Sequence, residues 1–384
     1  MNSIKLVAFL ACALACSDSF AIPADPPASP WPRYRMLELG TLGTPPTAHS
    51  FAWDINESGS VTGVSWFNPA RWTVTGETSV TIDTLATLGP SGTSIGYGIN
   101  DAGYIVGISN AQPVLWNQQN NVVSLGDLPG GSTNGTAFDI NNHDVAVGIS
   151  SVAGGERAFR WTAADGMEDL GDLPGGANYS EAKAINDLGV IVGNTGGLGA
   201  NEAFVWREST GMVGLGKLPG DHESMALDVN DAGFVVGYSR RNLGGDFYSL
   251  TAVGWTPDGS IFPIPNLGQR SVWSVAINSA GWVVGQGVDA GGQYRGTLWS
   301  AENGITALED LLDNPDPNYQ IFDAYGINDR GQIAAWAWSP YGVSAVLLTP
   351  VPEPATMLLF GGAASVVAAW RRARPSYLAR RCTA

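Results

Sequence analysis

Three groups of side chains in this chain have types and spacing that suggest chemistry. Asp228-Val229-Asn230-Asp231-Ala232-Gly233 gathers oxygen ligands of the kind that hold calcium. A calcium loop alternates its oxygens as Asp-x-Asp-x-Asp-Gly, and here that alternation is broken. The same order supplies turn chemistry: Asn and Asp cap their own backbone, and Gly takes the positive φ of a tight hairpin. The second group is the segment 239–250 with Arg240, Arg241, Asp246 and Tyr248, preceded by Asp221 and His222. Its cations and stacking ring suit an acidic or hydroxylated glycan. The third is Asp310, Asp313 and Asp316, within 309–319. The histidines, His49, His143 and His222, fall at unlike places, and no HExxH, Gly-x-Ser-x-Gly or phosphate-cradling Gly loop with Lys is present. These residues name no catalytic group, no cofactor and no metal site. Paired carboxylates for glycoside cleavage stay open, because acids are numerous enough to pair by chance.

What positions such residues is a repeat. Ile-Asn-Asp-x-Gly or a close variant recurs with its asparagine at Asn56, Asn100, Asn141, Asn186, Asn230, Asn278 and Asn328, separated by 44, 41, 45, 44, 48 and 50 residues. That period marks a unit of four short strands, which buries its apolar surface only against copies of itself. Runs such as Val190-Ile191-Val192-Gly193 are apolar at successive positions. Successive side chains in a strand point to opposite faces, so these strands belong to sheets covered on both sides. Six third strands end in Trp72, Trp116, Trp161, Trp206, Trp255 and Trp299, placed to pack one sheet on the next rather than to stack sugars. Gly63, Gly107, Gly148, Gly193, Gly237 and Gly285 mark close backbone approach, with Ala335 at the seventh site.

Counting strands predicts an all-β, seven-bladed β-propeller of four-stranded blades over 33–350. The seventh unit has three strands, and the missing fourth stands at 34–42, where Met36-Leu37-Glu38-Leu39-Gly40 matches the outermost strands of other units. Completing the last blade with the first strand removes exposed edges. An open solenoid would need polar caps, and neither terminal unit shows one.

The ends read as addresses. Residues 1–21 carry Lys5, an apolar run and Ser19-Phe20-Ala21, a secretory signal cleaved after Ala21 by signal peptidase; processing at Cys16 is the alternative. Residues 22–32 form a Pro-rich linker. At the other end an uncharged run over 355–370 would cover about 24 Å as a helix, workable across a ~30 Å hydrocarbon core with its flanks. Arginines including Arg371 and Arg372 follow and would stay cytoplasmic. Between the ends, 13 basic and 33 acidic groups leave a strongly negative body without cysteine. Nucleic acid and anionic lipid are repelled, and disulfides and thiolate metal sites are excluded from the body.

The tail, with Pro352-Glu353-Pro354, an apolar helix and an Arg cluster in order, resembles the PEP-CTERM sorting signal of Gram-negative bacteria. The resemblance implies an exported, transiently anchored envelope or extracellular protein, processed by an exosortase where exopolysaccharide is made. Within 155–193, Ala158-Phe159-x-Trp161, Gly166-Met167, Leu170-Gly171-Asp172-Leu173, Ala184-Ile185-Asn186 and Val192-Gly193 fall in the order of the HAF-family extracellular repeat, which the body resembles over 34–348. Arg157 and Glu202 stand where that family has its His, so no role for that His transfers. The resemblance implies a secreted repeat protein and no particular activity. The expected function is non-enzymatic binding of exopolysaccharide or a surface partner through propeller loops. A propeller glycoside hydrolase or polysaccharide lyase is the alternative.

Overall fold

The structure is a computed structural model. It describes residues 29–43, 49–90, 92–196, 201–245 and 247–352, with backbone alone at 269–272 and 274. The signal segment with Ala21, Asp246, Glu353, Pro354, the apolar tail run, Arg371 and Arg372 lie outside the described residues. The chain divides after Trp31 into a leading segment, where Trp31 N donates to Ser29 Oγ, and the body from Pro32 onward.

Seven four-stranded antiparallel sheets make the body. Blades 1 to 6 are simple meanders over 50–84, 94–124, 135–169, 180–214, 223–263 and 268–307. Blade 7 combines Gln320–Ile327, Ile333–Ser339 and Gly342–Pro350 with Tyr34–Glu38, which lies outermost with Tyr34 opposite Pro350 and Glu38 opposite Val346. Each blade's first strand touches those of both neighbours, blade 7 against blade 1 included, so the sheets ring an axial channel. The body is a seven-bladed β-propeller. Among the described residues no helix is long and apolar enough to cross a membrane.

Packing between blades follows the residue pattern. Trp72 is fully buried against Leu39 and against Ala334, Ala345 and Leu347 of blade 7. Trp255 does the same for blade 5 against Ala184, Val192, Ala203 and Val205 of blade 4. A ring system of that size removes 150–250 Å² from water, roughly 4–6 kcal/mol of transfer free energy. Trp161 and Trp299 pack on the core while keeping some exposure. The unit glycines are steric requirements: a Cβ on Gly63, Gly107 or Gly237 would stand 2.0 Å from a carbonyl oxygen of the blade's first strand.

One segment departs from the sequence reading. Residues 239–250 are mostly strand rather than loop, because Val235–Gly244 and Phe247–Trp255 run on as a long hairpin paired as far as Gly244 and Phe247. Gly244 and Gly245 supply the positive φ its turn needs.

Candidate functional site

The Asn-Asp-x-Gly turns join first to second strands at one mouth of the channel. In all seven, the Asn Oδ1 accepts from the backbone N–H four residues on, at Ser60, Tyr104, Val145, Val190, Phe234, Trp282 and Gln332. Each Nδ2 donates to the carbonyl of the next blade's asparagine, from Asn56 to Asn100 and onward until Asn328 donates to Asn56 O at 3.0 Å. This closed ring needs an acceptor and a donor on one short side chain, which Asn has and Asp lacks. The residue three places on takes positive φ in every turn, by Gly in six and by Asp144 in blade 3. An outer, more exposed ring follows: the N–H of Glu57 donates to Asp101, Asp101 to Asn142, Asn142 to Asp187 and Asp187 to Asp231. It resumes from Ser279 to Asp329 and from Asp329 to Glu57. Asp231 and Asn230 are thus engaged in turn and ring bonds.

Three residues before each of these asparagines, the first strand slips register against the second in every blade. Such a bulge turns an extra side chain out of the pleat. The seven residues so placed are Trp53, Tyr97, Phe138, Lys183, Leu227, Val275 and Tyr325, and all seven line one axial chamber of about 500 Å³. Five of them make a continuous arc. Tyr325 meets Trp53 edge-on at 4.7 Å between centroids, Trp53 meets Tyr97 at 5.4 Å, Tyr97 meets Phe138 at 5.5 Å, and Lys183 Nζ sits 4.0 Å over the Phe138 ring. Lys183 is also paired with Glu181 at 2.5 Å. Tyr238 and Trp273 complete the aromatic wall, and Leu227 and Val275 face the arc's open side.

Beside the bulge, blades 1, 3 and 5 carry Asp54, Asp139 and Asp228, where the other blades have Gly98, Ala184, Ala276 and Gly326. All three acids line the chamber. Each carboxylate is a staple. One oxygen accepts from the next N–H of its own strand, and the other from the following blade, at Ile99, Ile185 and Ile277. They are half-buried, packed in protein on every side but the channel. That burial pushes Asp139 up to about 6 and Asp228 up to about 7. Asp54 is also raised well above the usual carboxylate range, by burial first and then by the like charge of Asp139. In blade 7, Asp323 is raised to about 7 by burial, against hydrogen bonds from Trp273, Ala324 N and Tyr325.

The residues expected from the loops fall in two separate places. Arg240, Arg241, His222 and Tyr248 come together on blade 5, mostly spent on one another and on local acids. Arg240 pairs with buried Glu223 at 2.6 Å and lies 5.3 Å over Tyr248. Arg241 pairs with Asp221 at 3.0 Å, and His222 Nδ1 accepts from Asn242 N. Asp310, Asp313 and Asp316 lie on the connection between blades 6 and 7. There Arg33 donates to Asp310 O and to Asp313, Asp313 N donates to Tyr34 O, and Asp316 caps Asn318. That connection clasps the N-terminal strand, with Tyr319 Oη donating to Glu38. None of these residues lines the chamber. The chamber residues themselves carry a sequence signal, since the place three before the motif asparagine is aromatic in four of seven units.

Comparison with known proteins agrees with the fold and identifies the tail. The PEP-CTERM protein-sorting motif matches residues 350–373. Among curated proteins none matches the chain. Among solved structures, virginiamycin B lyase from Staphylococcus aureus is similar at 12% identity and a TM-score of 0.54, covering 83% of this chain and all of that one. A streptogramin B lyase shows the same identity and TM-score over 98% of its length, and the WD40 β-propeller domain of Doa1 is similar at 13% identity and 0.50. At such identities the likeness is one of fold. The chain is an all-β seven-bladed propeller that carries a PEP-CTERM sorting motif.

Proposed function

We propose that the mature body is an exported binding protein that holds a segment of surface or matrix glycan in the axial chamber without cleaving it. The observation that carries this reading is the bulge in all seven blades, which spends one side chain per blade on lining a cavity. Sugars offer C–H faces to aromatic rings, and the chamber is within the size of ligand sites, with a few polar groups among apolar walls. The long blade 5 hairpin with Tyr248 is proposed as an outer contact for the same glycan, as is Asp246. The Asp310, Asp313 and Asp316 connection is proposed as a second such contact.

Delivery follows from the tail. Signal peptidase would remove residues 1–21, an exosortase would act near Pro352-Glu353-Pro354, and the apolar run would hold the protein in the membrane until then. The repeats are proposed to be of the HAF type, on the residues of 155–193 given above. The strand Tyr34–Glu38 is proposed as the latch that keeps the ring closed.

A hydrolase or lyase reading has one observation in its favour. Asp139 and Asp228 sit in a cleft with raised proton affinity, as a general acid requires. Against it, both oxygens of each carboxylate already staple backbone, and none of His49, His143 and His222 lines the chamber. Titrating the mature body with host exopolysaccharide fragments, while following tryptophan emission and reducing ends, separates the readings. Saturable quenching lost in Trp53→Ala, with no new reducing ends, is expected. Release of reducing ends that stops in Asp139→Asn would sink the binding reading.

A further inference from the structure

We propose that the chamber selects a glycan bearing a free protonated amine, a de-N-acetylated amino sugar, over its neutral or anionic counterparts. This rests on the binding reading above and names its ligand class. The wall is an arc of electron-rich rings, Tyr325, Trp53, Tyr97 and Phe138, in mutual contact. One of those faces already holds an ammonium, Lys183 Nζ over Phe138, with Glu181 as counter-ion. The arc therefore accepts a primary amine within the protein itself, and the faces of Trp53, Tyr97 and Tyr325 border the same space.

Charge in the chamber is one-sided. Lys183 is neutralised by Glu181, whereas Asp139 and Asp228 meet backbone N–H groups on both oxygens, and their negative field raises Asp54. Each carboxylate oxygen accepts one of these bonds, so lone pairs remain for a further donor. An ammonium entering from the channel would offset that field, and an anionic sugar would add to it. The far mouth is acidic as well, with Glu57, Asp101, Asp187, Asp231 and Asp329 around it. The guanidinium groups suited to an acidic glycan, Arg240 and Arg241, are paired with Glu223 and Asp221.

The test compares glucosamine oligomers with N-acetylglucosamine oligomers of equal length on the full mature protein, by calorimetry and tryptophan emission. The amine form is expected to bind roughly tenfold tighter, the size of a desolvated cation–π contact. That preference should fall with added salt and shrink to about twofold in Asp139→Asn or Asp228→Asn, two independent variants in case one fails to fold. Equal or tighter binding of the acetylated form, lost in Trp53→Ala, overturns the amine preference and leaves the chamber as a neutral-sugar site. Binding of neither oligomer, nor of exopolysaccharide fragments, removes the binding reading together with the preference.

Discussion

Replacing one asparagine of the inner ring should destabilise the whole propeller, and Asn186→Ala is the sharpest case. The side chain is 6% exposed and makes three hydrogen bonds: Nδ2 to Asn230 O at 3.0 Å, and Oδ1 from Leu188 N at 3.1 Å and Val190 N at 2.9 Å. A net bond contributes about 1 kcal/mol, and a buried group left without its partner costs about 1–3 kcal/mol. Truncation removes all three bonds and strands partners in the turn and in the next blade, so a loss of about 3–5 kcal/mol is expected. Single-domain stabilities run to about 5–15 kcal/mol, so the denaturant midpoint should move visibly. Asn186→Asp keeps the two acceptor bonds, deletes the donor and sets a carboxylate against the Asn230 carbonyl, so it should also destabilise. Asp329→Ala is the control: exposed and accepting from Ser279 N in the outer ring, it should cost below about 1 kcal/mol. Guanidinium unfolding of the three variants decides the matter. An Asn186→Ala loss no larger than that of Asp329→Ala would refute the ring as a structural device.

Three further outcomes are expected. A chain starting at Phe51 loses the outermost strand of blade 7 and the partners of the Asp313 connection, and should melt earlier and less cooperatively than the body from Pro32; equal melting curves would remove the latch. Stability should fall as pH rises from about 5 to about 8. The native proton affinities of Asp139 (about 6), Asp228 and Asp323 (both about 7) lie above that of an unfolded aspartate, so their protonated native forms are favoured at low pH and the advantage is lost through that window. Asp258 and Asp289 are pulled below the ordinary value by local hydrogen bonds and change only at lower pH. A melting temperature flat from pH 5 to 8 would contradict the assigned burial, and Asp228→Asn should flatten part of the slope. Finally, the native product should show an intact mass beginning at Ile22 and ending near Pro352–Pro354; a chain retaining Cys16 with added lipid mass would favour the other route.

What could be read from the chain alone divides by the kind of force involved. Blade number and strand order were legible because one motif, repeated seven times, carries backbone requirements that admit few residue types. Only Gly leaves room where a Cβ on Gly63 would strike Phe51 O, and only Asn both accepts from Ser60 N and donates to Asn100 O. The mutual pairing of Arg240 with Glu223 and Arg241 with Asp221 was not legible, because it depends on a hairpin folding back over the preceding connection. Nor was the clasp of Arg33 on Asp310 and Asp313, which joins residues nearly the whole length of the body apart.

The chamber was the least legible part, for a reason built into the fold. In an alternating strand the residue three before the motif asparagine would share a face with Ile55 and its equivalents and be counted as core. The register slip breaks that alternation and aims the residue at the axis instead. In six blades the unit glycine stands opposite the residue before the slip: Gly63 pairs with Ala52, and pairing resumes at Asp54, omitting Trp53. Blade 7 carries Ala335 instead of that glycine and makes the same slip, between Ala324 and Gly326. The repeat thus fixes every neighbouring place, from the small residue before the bulge to the asparagine after it, and leaves the bulge residue to the chamber wall. Trp, Tyr, Phe, Lys, Leu, Val and Tyr there are more varied than any place between that small residue and the asparagine. On the proposed binding reading, the chamber wall can change at that place without changing the blades.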